Sequence, residues 1–120
     1  MAPLENQIVF AVLSTWGAHP RLRIWRQNTG VGWFCDGKPA RQDDPGAYPV
    51  KFGTPGQADI SGLFLPSGRR LEIELKTQTG RQSKDQISFQ RMIERMGGVY
   101  LLARSLEDVD RAFAALGITR

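Results

Sequence analysis

The residues best suited to chemistry lie in two neighbouring segments, at Asp59 and in Glu74-Leu75-Lys76. In LEIELKTQTG, residues 71–80, apolar and polar residues alternate, which places Glu74 and Lys76 on one face of a strand. Adjacent strands lie about 4.8 Å apart, so the carboxylates of Asp59 and Glu74 could converge on one cation. Mg²⁺ prefers oxygen ligands, and the Leu75 carbonyl offers another. With Lys76 holding an attacking water, the chemistry would be metal-assisted hydrolysis of a phosphate ester.

An ordinary surface strand can carry the same Glu-x-Lys pattern, because one face of a half-solvated strand is polar. On that interpretation Glu72, which shares the face of Glu74, is a solvated residue. The surrounding sequence favours a site instead, because a Pro55-Gly56 turn precedes Asp59 and a predicted helix bearing Gln86 follows the strand.

The acid Glu5 falls in the predicted first helix, in line with its apolar stripe. That stripe comprises Ile8, Val9, Val12, Leu13 and Trp16. An acid that points toward a core is unusual unless it is paired or binds a metal. An acid in the first turn also complements the helix dipole. Position alone leaves both roles open for Glu5.

Periodicity and capping residues predict the elements that position these side chains. The predicted helices are Leu4–Trp16, Lys84–Met96 after a Ser83–Gln86 capping box, and a third that follows a Ser105–Asp108 capping box and ends at Gly117. The predicted strands are Leu22–Arg26, Val50–Phe52 at an edge, Asp59–Leu65, Arg70–Thr77 and a central Val99–Ala103. Asn28-Thr29-Gly30 is a predicted turn, and residues 35–48 are a predicted exposed loop.

The order of these elements predicts the fold class. A strand, helix and strand between Leu71 and Ala103 predict a parallel strand pair with a crossover helix. We therefore expect a single α/β domain over residues 1–120, built as a small mixed β-sheet flanked by helices.

Composition narrows the function classes. The 120-residue chain has a net charge of +4 and a pI of about 9.7, which favours an anionic partner such as nucleic acid. A single cysteine, Cys35, excludes an intramolecular disulfide framework and fits a reducing compartment. The single histidine, His19, lies in a predicted loop with no motif around it. We expect neither a membrane span, which needs about 20 apolar residues, nor a signal peptide.

Several motifs together resemble the VRR-NUC domain, the virus-type replication-repair branch of the PD-(D/E)XK nuclease superfamily. They are Glu5, Arg26-Gln27-Asn28-Thr29-Gly30, the segment Val50–Asp59, the segment Glu74–Arg81, and Ser83-Lys84-Asp85-Gln86. The resemblance covers nearly the whole chain, and residues 35–48 contribute least to it. One departure is Gln27, which stands where these proteins often carry asparagine, and it affects no catalytic residue.

The resemblance implies a fold and a site. The fold would be a restriction-endonuclease-like core with the order α-β-β-β-α-β. Glu5, Asp59 and Glu74 would surround Mg²⁺ or Mn²⁺, which decides the open question of Glu5 in favour of function. The Leu75 carbonyl would complete the protein ligands; Lys76 would be catalytic and Gln86 a supporting residue.

The resemblance also implies a substrate, because stand-alone members look like homodimers that cut branched DNA such as four-way (Holliday) junctions. Their occurrence in phages and bacteria implies the cytoplasm. Candidate DNA contacts are Arg26, Lys51, Arg81 and Lys84. Candidate dimer interfaces are the Trp16 end of the first helix and residues 31–52.

Other functions remain open at this point. Restriction-type and flap nucleases would share the site, although no separate target-recognition domain is apparent. A non-catalytic DNA-binding module, or a nuclease-fold accessory subunit of a replication or repair complex, would commonly lose one of the acids. An RNA-binding protein would need exposed aromatic residues on a sheet face, where the predicted hairpin carries acids.

Overall fold

The computed structural model describes residues 4–28 and 30–120 and has a mixed α/β architecture. Its helices are α1 (Leu4–Trp16), α2 (Lys84–Arg95) and α3 (Leu106–Ala115). Its strands are β1 (Leu22–Arg26), β2 (Gly30–Cys35), β3 (Lys38–Pro39), β4 (Tyr48–Phe52), β5 (Ile60–Phe64), β6 (Arg70–Leu75) and β7 (Val99–Ala103). The predicted turn at residues 28–30 includes Thr29, which lies outside the described residues.

A four-stranded main sheet has the order β1-β5-β6-β7. The predicted hairpin is confirmed, because β5 and β6 pair antiparallel with Ile60 opposite Ile73. The predicted parallel pair is confirmed as well, with Leu75 of β6 opposite Ala103 of β7. The prediction that β7 is central is wrong, since β7 forms an edge of the sheet. Its apolar sequence reflects packing against α2 and α3.

Helices cover both faces of the main sheet. On one face α1 and α3 pack over a core in which Trp16 and Phe113 make an edge-on contact with ring centroids 4.7 Å apart. The Trp16 indole N–H donates to Asp110 Oδ1 at 2.8 Å. On the other face Phe89 and Ile93 of α2 pack with Ala58 and Tyr100. Strand β6 is therefore buried on both sides.

This burial corrects the interpretation of β6 as a half-solvated strand. Glu72 has no exposed surface. Its carboxylate accepts hydrogen bonds from the Ser61 hydroxyl at 3.0 Å and from Arg70 Nε at 2.8 Å. Burial raises the pKa of Glu72 even though these two partners act to lower it. Glu72 is a buried, partnered acid because β6 lies inside the sheet, between β5 and β7.

Residues 30–52 form a second sheet, which we call the β-arm. Its three strands are antiparallel in the order β3-β2-β4. The predicted loop at residues 35–48 therefore contains a short strand, and Val50–Phe52 belongs to an edge strand as predicted. The β-arm makes few contacts with the main sheet. The radius of gyration is 16.6 Å, against about 14 Å for a compact domain of this length, so the β-arm projects from the body.

Side-chain caps begin both later helices. Ser83 and Gln86 form the predicted capping box at α2. At α3 the Ser105 hydroxyl accepts from the Asp108 N–H at 3.1 Å, which is half of the predicted box. The Asp108 carboxylate accepts from the backbone N–H of Arg104, at 2.8 Å, instead of from Ser105.

Candidate active site

Four of the predicted site residues come together near the carboxyl end of β6. Asp59, immediately before β5, accepts a hydrogen bond from the Leu75 backbone N–H at 2.9 Å. Glu74 Oε2 accepts from the Gln86 side-chain amide at 3.2 Å and lies 3.9 Å from Lys76 Nζ. The hairpin brings Asp59 beside Glu74, and the capped start of α2 brings Gln86 to the same carboxylate.

A glycine turn fixes the segment before Asp59 against α2. Gly56 has φ +77°, a conformation that side-chain-bearing residues rarely adopt. A Cβ at this position would lie 2.2 Å from the carbonyl carbon and oxygen of Asp85 and 2.6 Å from the Gln86 nitrogen. The Pro55-Gly56 turn therefore packs directly on the first turn of the helix that supplies Gln86.

We expect Gly56→Ala to lower the free energy of unfolding by about 2 kcal/mol or more, because backbone strain and a backbone clash combine. Chemical denaturation of both proteins measures this change. Gly68→Ala is the matched control, since Gly68 also has a positive φ but a Cβ there meets nothing within 4 Å. An equal loss of stability in the two variants would show that φ alone, and not the contact with α2, makes glycine necessary at position 56.

The electrostatics of the cluster centre on Glu74, which is 3% exposed. Burial raises the pKa of Glu74 to about 8, and the neighbouring Asp59 carboxylate contributes to the rise. The charge of Lys76 lowers the pKa of Glu74, but this effect is smaller than the combined effect of burial and Asp59. Glu5 adds a smaller repulsion, so the first helix does bring its acid toward the cluster. The cluster therefore carries excess negative charge at a position that is largely shielded from solvent.

The Asp59 and Glu74 carboxylates suit a hard divalent cation. A cation between them would offset the repulsion that adds to burial in raising the pKa of Glu74. Within residues 4–28 and 30–120, no three Asp, Glu, His or Cys side chains lie close enough to form a ready-made metal site. Glu5 therefore acts on Glu74 through its charge in this arrangement. The donor set fits Mg²⁺ or Mn²⁺, which commonly bind through two carboxylates and keep several waters.

The remaining predicted residues lie around the cluster. Arg26 is tied to α1, because its guanidinium donates to Asn6 Oδ1 at 3.1 Å and lies 5.2 Å from the Phe10 ring centroid. Lys51 is exposed on the β-arm and so belongs to the second sheet. Arg81 and Lys84 are exposed at the start of α2.

Sequence reasoning missed Tyr100, which lies opposite Glu72 in the β6–β7 register. Its hydroxyl accepts a hydrogen bond from the Gln82 amide at 3.3 Å. Burial, together with the charges of Glu74, Asp59 and Glu72, raises the pKa of Tyr100 to about 12. In the sequence, Tyr100 is distinguished only by its hydroxyl group, since the other residues of Val99–Ala103 are apolar.

The protein is therefore a mixed α/β chain that groups two carboxylates, a lysine and an amide near the carboxyl end of an inner strand. No protein-family model matches the chain, and no curated protein is significantly similar to it. Among the described residues, none of the helices has the length and apolar character needed to cross a membrane.

Proposed function

We propose that this protein is a Mg²⁺- or Mn²⁺-dependent endonuclease of the VRR-NUC type that hydrolyses phosphodiester bonds in branched DNA, four-way junctions in particular. One observation carries the proposal: Asp59, Glu74 and Lys76 share one site, as the Asp…Glu-x-Lys motif requires. Clusters of buried acids with strongly shifted pKa values occur preferentially at functional sites.

Each residue has a chemical role in this proposal. Asp59 and Glu74 would hold the ion, with the Leu75 carbonyl as a further ligand and Glu5 supplying negative charge from α1. The chemistry supplied by the bound ion would be activation of a water molecule and neutralisation of phosphate charge. Lys76 would hold the attacking water and offset developing negative charge. Gln86 orients Glu74 through the hydrogen bond of 3.2 Å.

The surface beside the cluster suits a phosphate backbone. Arg81 and Lys84 are exposed at the N-terminal end of α2, where the helix dipole also favours an anion. We propose that they contact DNA phosphates, and binding would then weaken as salt is added. Arg26 and Lys51 are less direct candidates, because one packs on α1 and the other lies on the β-arm.

The homodimer in this proposal is supported by one face of the β-arm. The cross-strand pairs Gly32–Val50 and Phe34–Tyr48 place uncharged residues on the same face, which Phe52 extends. Tyr48, Val50 and Phe52 are 43%, 37% and 48% exposed. An uncharged apolar face is complementary to a second copy of itself, and two sheets can stack about 10 Å apart. Two active sites related by a two-fold axis could then cut both strands of a symmetric junction.

We expect Val50→Glu to produce a monomer, because it places a charge in this apolar face. Light scattering after size exclusion should give about twice the 13.4 kDa chain mass for the wild type and a single chain mass for Val50→Glu. Val31→Glu is the matched control, since Val31 is exposed on the opposite face of the same sheet. An unchanged mass for Val50→Glu, or a monomeric wild type, would reject this interface.

The same face also has a feature that the RNA-binding alternative requires. Phe34, Tyr48 and Phe52 are aromatic residues on a sheet face, the feature that stacking of single-stranded bases requires. The described residues of this face include no lysine or arginine, whereas sites that stack single-stranded bases usually combine aromatic residues with cations, and this favours the dimer. Loss of single-stranded RNA binding in Val50→Glu, with an unchanged molecular mass, would favour the RNA alternative.

A gel assay tests the proposed function directly. The purified protein is incubated with a labelled four-way junction and with a matched linear duplex, in Mg²⁺, Mn²⁺ or EDTA. We expect metal-dependent cleavage of the junction. Equal cleavage of the duplex would keep the chemistry but reject the substrate, and binding without cleavage would favour a non-catalytic module or an accessory subunit.

A further inference from the structure

Arg104 leaves the main sheet beside Lys76. Strands β6 and β7 are parallel with Leu75 opposite Ala103, so the residues that follow them emerge together at the carboxyl ends. The Lys76 backbone N–H donates to the Ala103 carbonyl at 2.9 Å. Carboxyl ends of parallel strands are where α/β sheets commonly place their sites.

The side chain of Arg104 holds the loop that follows β6, residues 77–80. One guanidinium nitrogen, Nη1, donates to the carbonyls of both Thr77 and Gly80, the second at 2.7 Å. The backbone of Arg104 is itself fixed, because its N–H donates to the Asp108 carboxylate in the first turn of α3. Arg104 therefore ties this loop to the main sheet and to α3.

The loop connects two parts of the candidate active site. It begins directly after Lys76 and leads to Ser83, the N-cap of the helix that supplies Gln86. A Cβ at Gly80 would lie 3.5 Å from Lys76 Cδ, so the loop backbone runs against the lysine side chain. A shift of the loop would therefore move Lys76.

The Arg104 guanidinium is held by carbonyl groups. The ion pairs found among the described residues use other cations, namely Arg70, Lys76, Arg111 and Arg120. Charge-assisted hydrogen bonds are roughly twice as strong as neutral ones. The planar guanidinium directs two N–H groups from one nitrogen in a fixed geometry, which a lysine ammonium on its flexible stem does not reproduce.

We propose that Arg104 is a positioning residue that sets the place of the Lys76 ammonium relative to Glu74 by holding residues 77–80. The expected effect of Arg104 on catalysis rests on the proposed nuclease function. The positioning itself is a property of the folded chain and can be measured without any substrate.

The test compares Arg104→Met with the wild type and with Arg91→Met, which removes an exposed arginine from α2. The first readout is the rate at which an acylating reagent labels Lys76, measured by mass spectrometry with the exposed Lys51 of the β-arm as the internal reference. Because the Lys76 side chain is 14% exposed, release of the loop should raise its labelling about fivefold or more in Arg104→Met alone. Arg104→Lys should give an intermediate rate, and it keeps the test usable if the methionine variant does not fold.

The second readout is cleavage of the junction. We expect Arg104→Met to lower kcat by about 10- to 100-fold, the cost of a small misplacement of a reacting group, with KM and junction binding in EDTA nearly unchanged. Unchanged Lys76 labelling in a folded variant would overturn the proposal, whatever happens to cleavage. Increased labelling in a protein whose wild type cuts no DNA would support the positioning and reject the nuclease.

Discussion

Asp59→Asn and Lys76→Ala should each reduce metal-dependent cleavage by about 10³-fold or more, because each removes a group proposed to act on the reacting phosphate. Asparagine keeps an oxygen that can accept the hydrogen bond from the Leu75 N–H, so the fold should survive the first change. Single-turnover cleavage of a labelled junction measures the effect, and binding in EDTA should stay near the wild-type value.

The matched control for these variants is Glu94→Gln, which removes an exposed acid of α2 outside the cluster. It should cleave at the wild-type rate. Normal cleavage by either Asp59→Asn or Lys76→Ala would reject the proposed mechanism. Lost binding together with lost cleavage would instead assign that residue to DNA contact or to folding, which thermal denaturation distinguishes.

Glu74→Gln should abolish cleavage and yet stabilise the metal-free protein. The folded-state pKa of Glu74 is about 8, against 4.5 for the free side chain. As pH rises from 4.5, Glu74 therefore ionises in the unfolded chain first, and the folded state loses stability until the pH passes 8. Glutamine has no charge and avoids this cost. We expect the free energy of unfolding of Glu74→Gln to exceed that of the wild type by about 2 kcal/mol or more at pH 8. This difference should vanish below pH 4.5.

Thermal denaturation in EDTA from pH 5 to pH 9 measures the difference, with Glu94→Gln as the control that should follow the wild type. Mn²⁺ should then raise the melting temperature of the wild type but not of Glu74→Gln, because ligand binding to the folded state stabilises it. A Glu74→Gln protein less stable than the wild type at pH 8 would show that the carboxylate is structurally favourable, contrary to the burial and repulsion described above.

The sequence predicted those features that depend on neighbours in the chain. Helix α1 begins and ends as predicted, because its apolar stripe has helical spacing. Ser83 and Gln86 predicted the start of α2, since a capping box satisfies the first backbone N–H groups locally. The hairpin of β5 and β6 followed from alternation and an intervening turn, and its register alone brings Asp59 toward Glu74.

Other features depend on residues far apart in the sequence. Within the β-arm, strand β2 was not predicted and residues 35–48 were predicted as an exposed loop, because that segment is polar and contains glycine and proline. In the folded chain Gly32 lies under the Phe52 ring, where a Cβ would come within 2.7 Å of that ring, so this glycine permits close packing within the sheet. The pairing of β2 with β4 forms this sheet, and the local sequence preferences of the two strands do not predict that pairing.

The sequence by itself determined which side chains can do chemistry and which elements carry them, because residue type, periodicity and capping are local properties. The tertiary structure decided how those side chains behave. Burial between two covered faces makes Glu72 a buried, partnered acid and raises the pKa of Glu74, and the parallel register places Arg104 beside Lys76. Desolvation and long-range pairing arise only when distant segments pack together, so no local pattern could have revealed them.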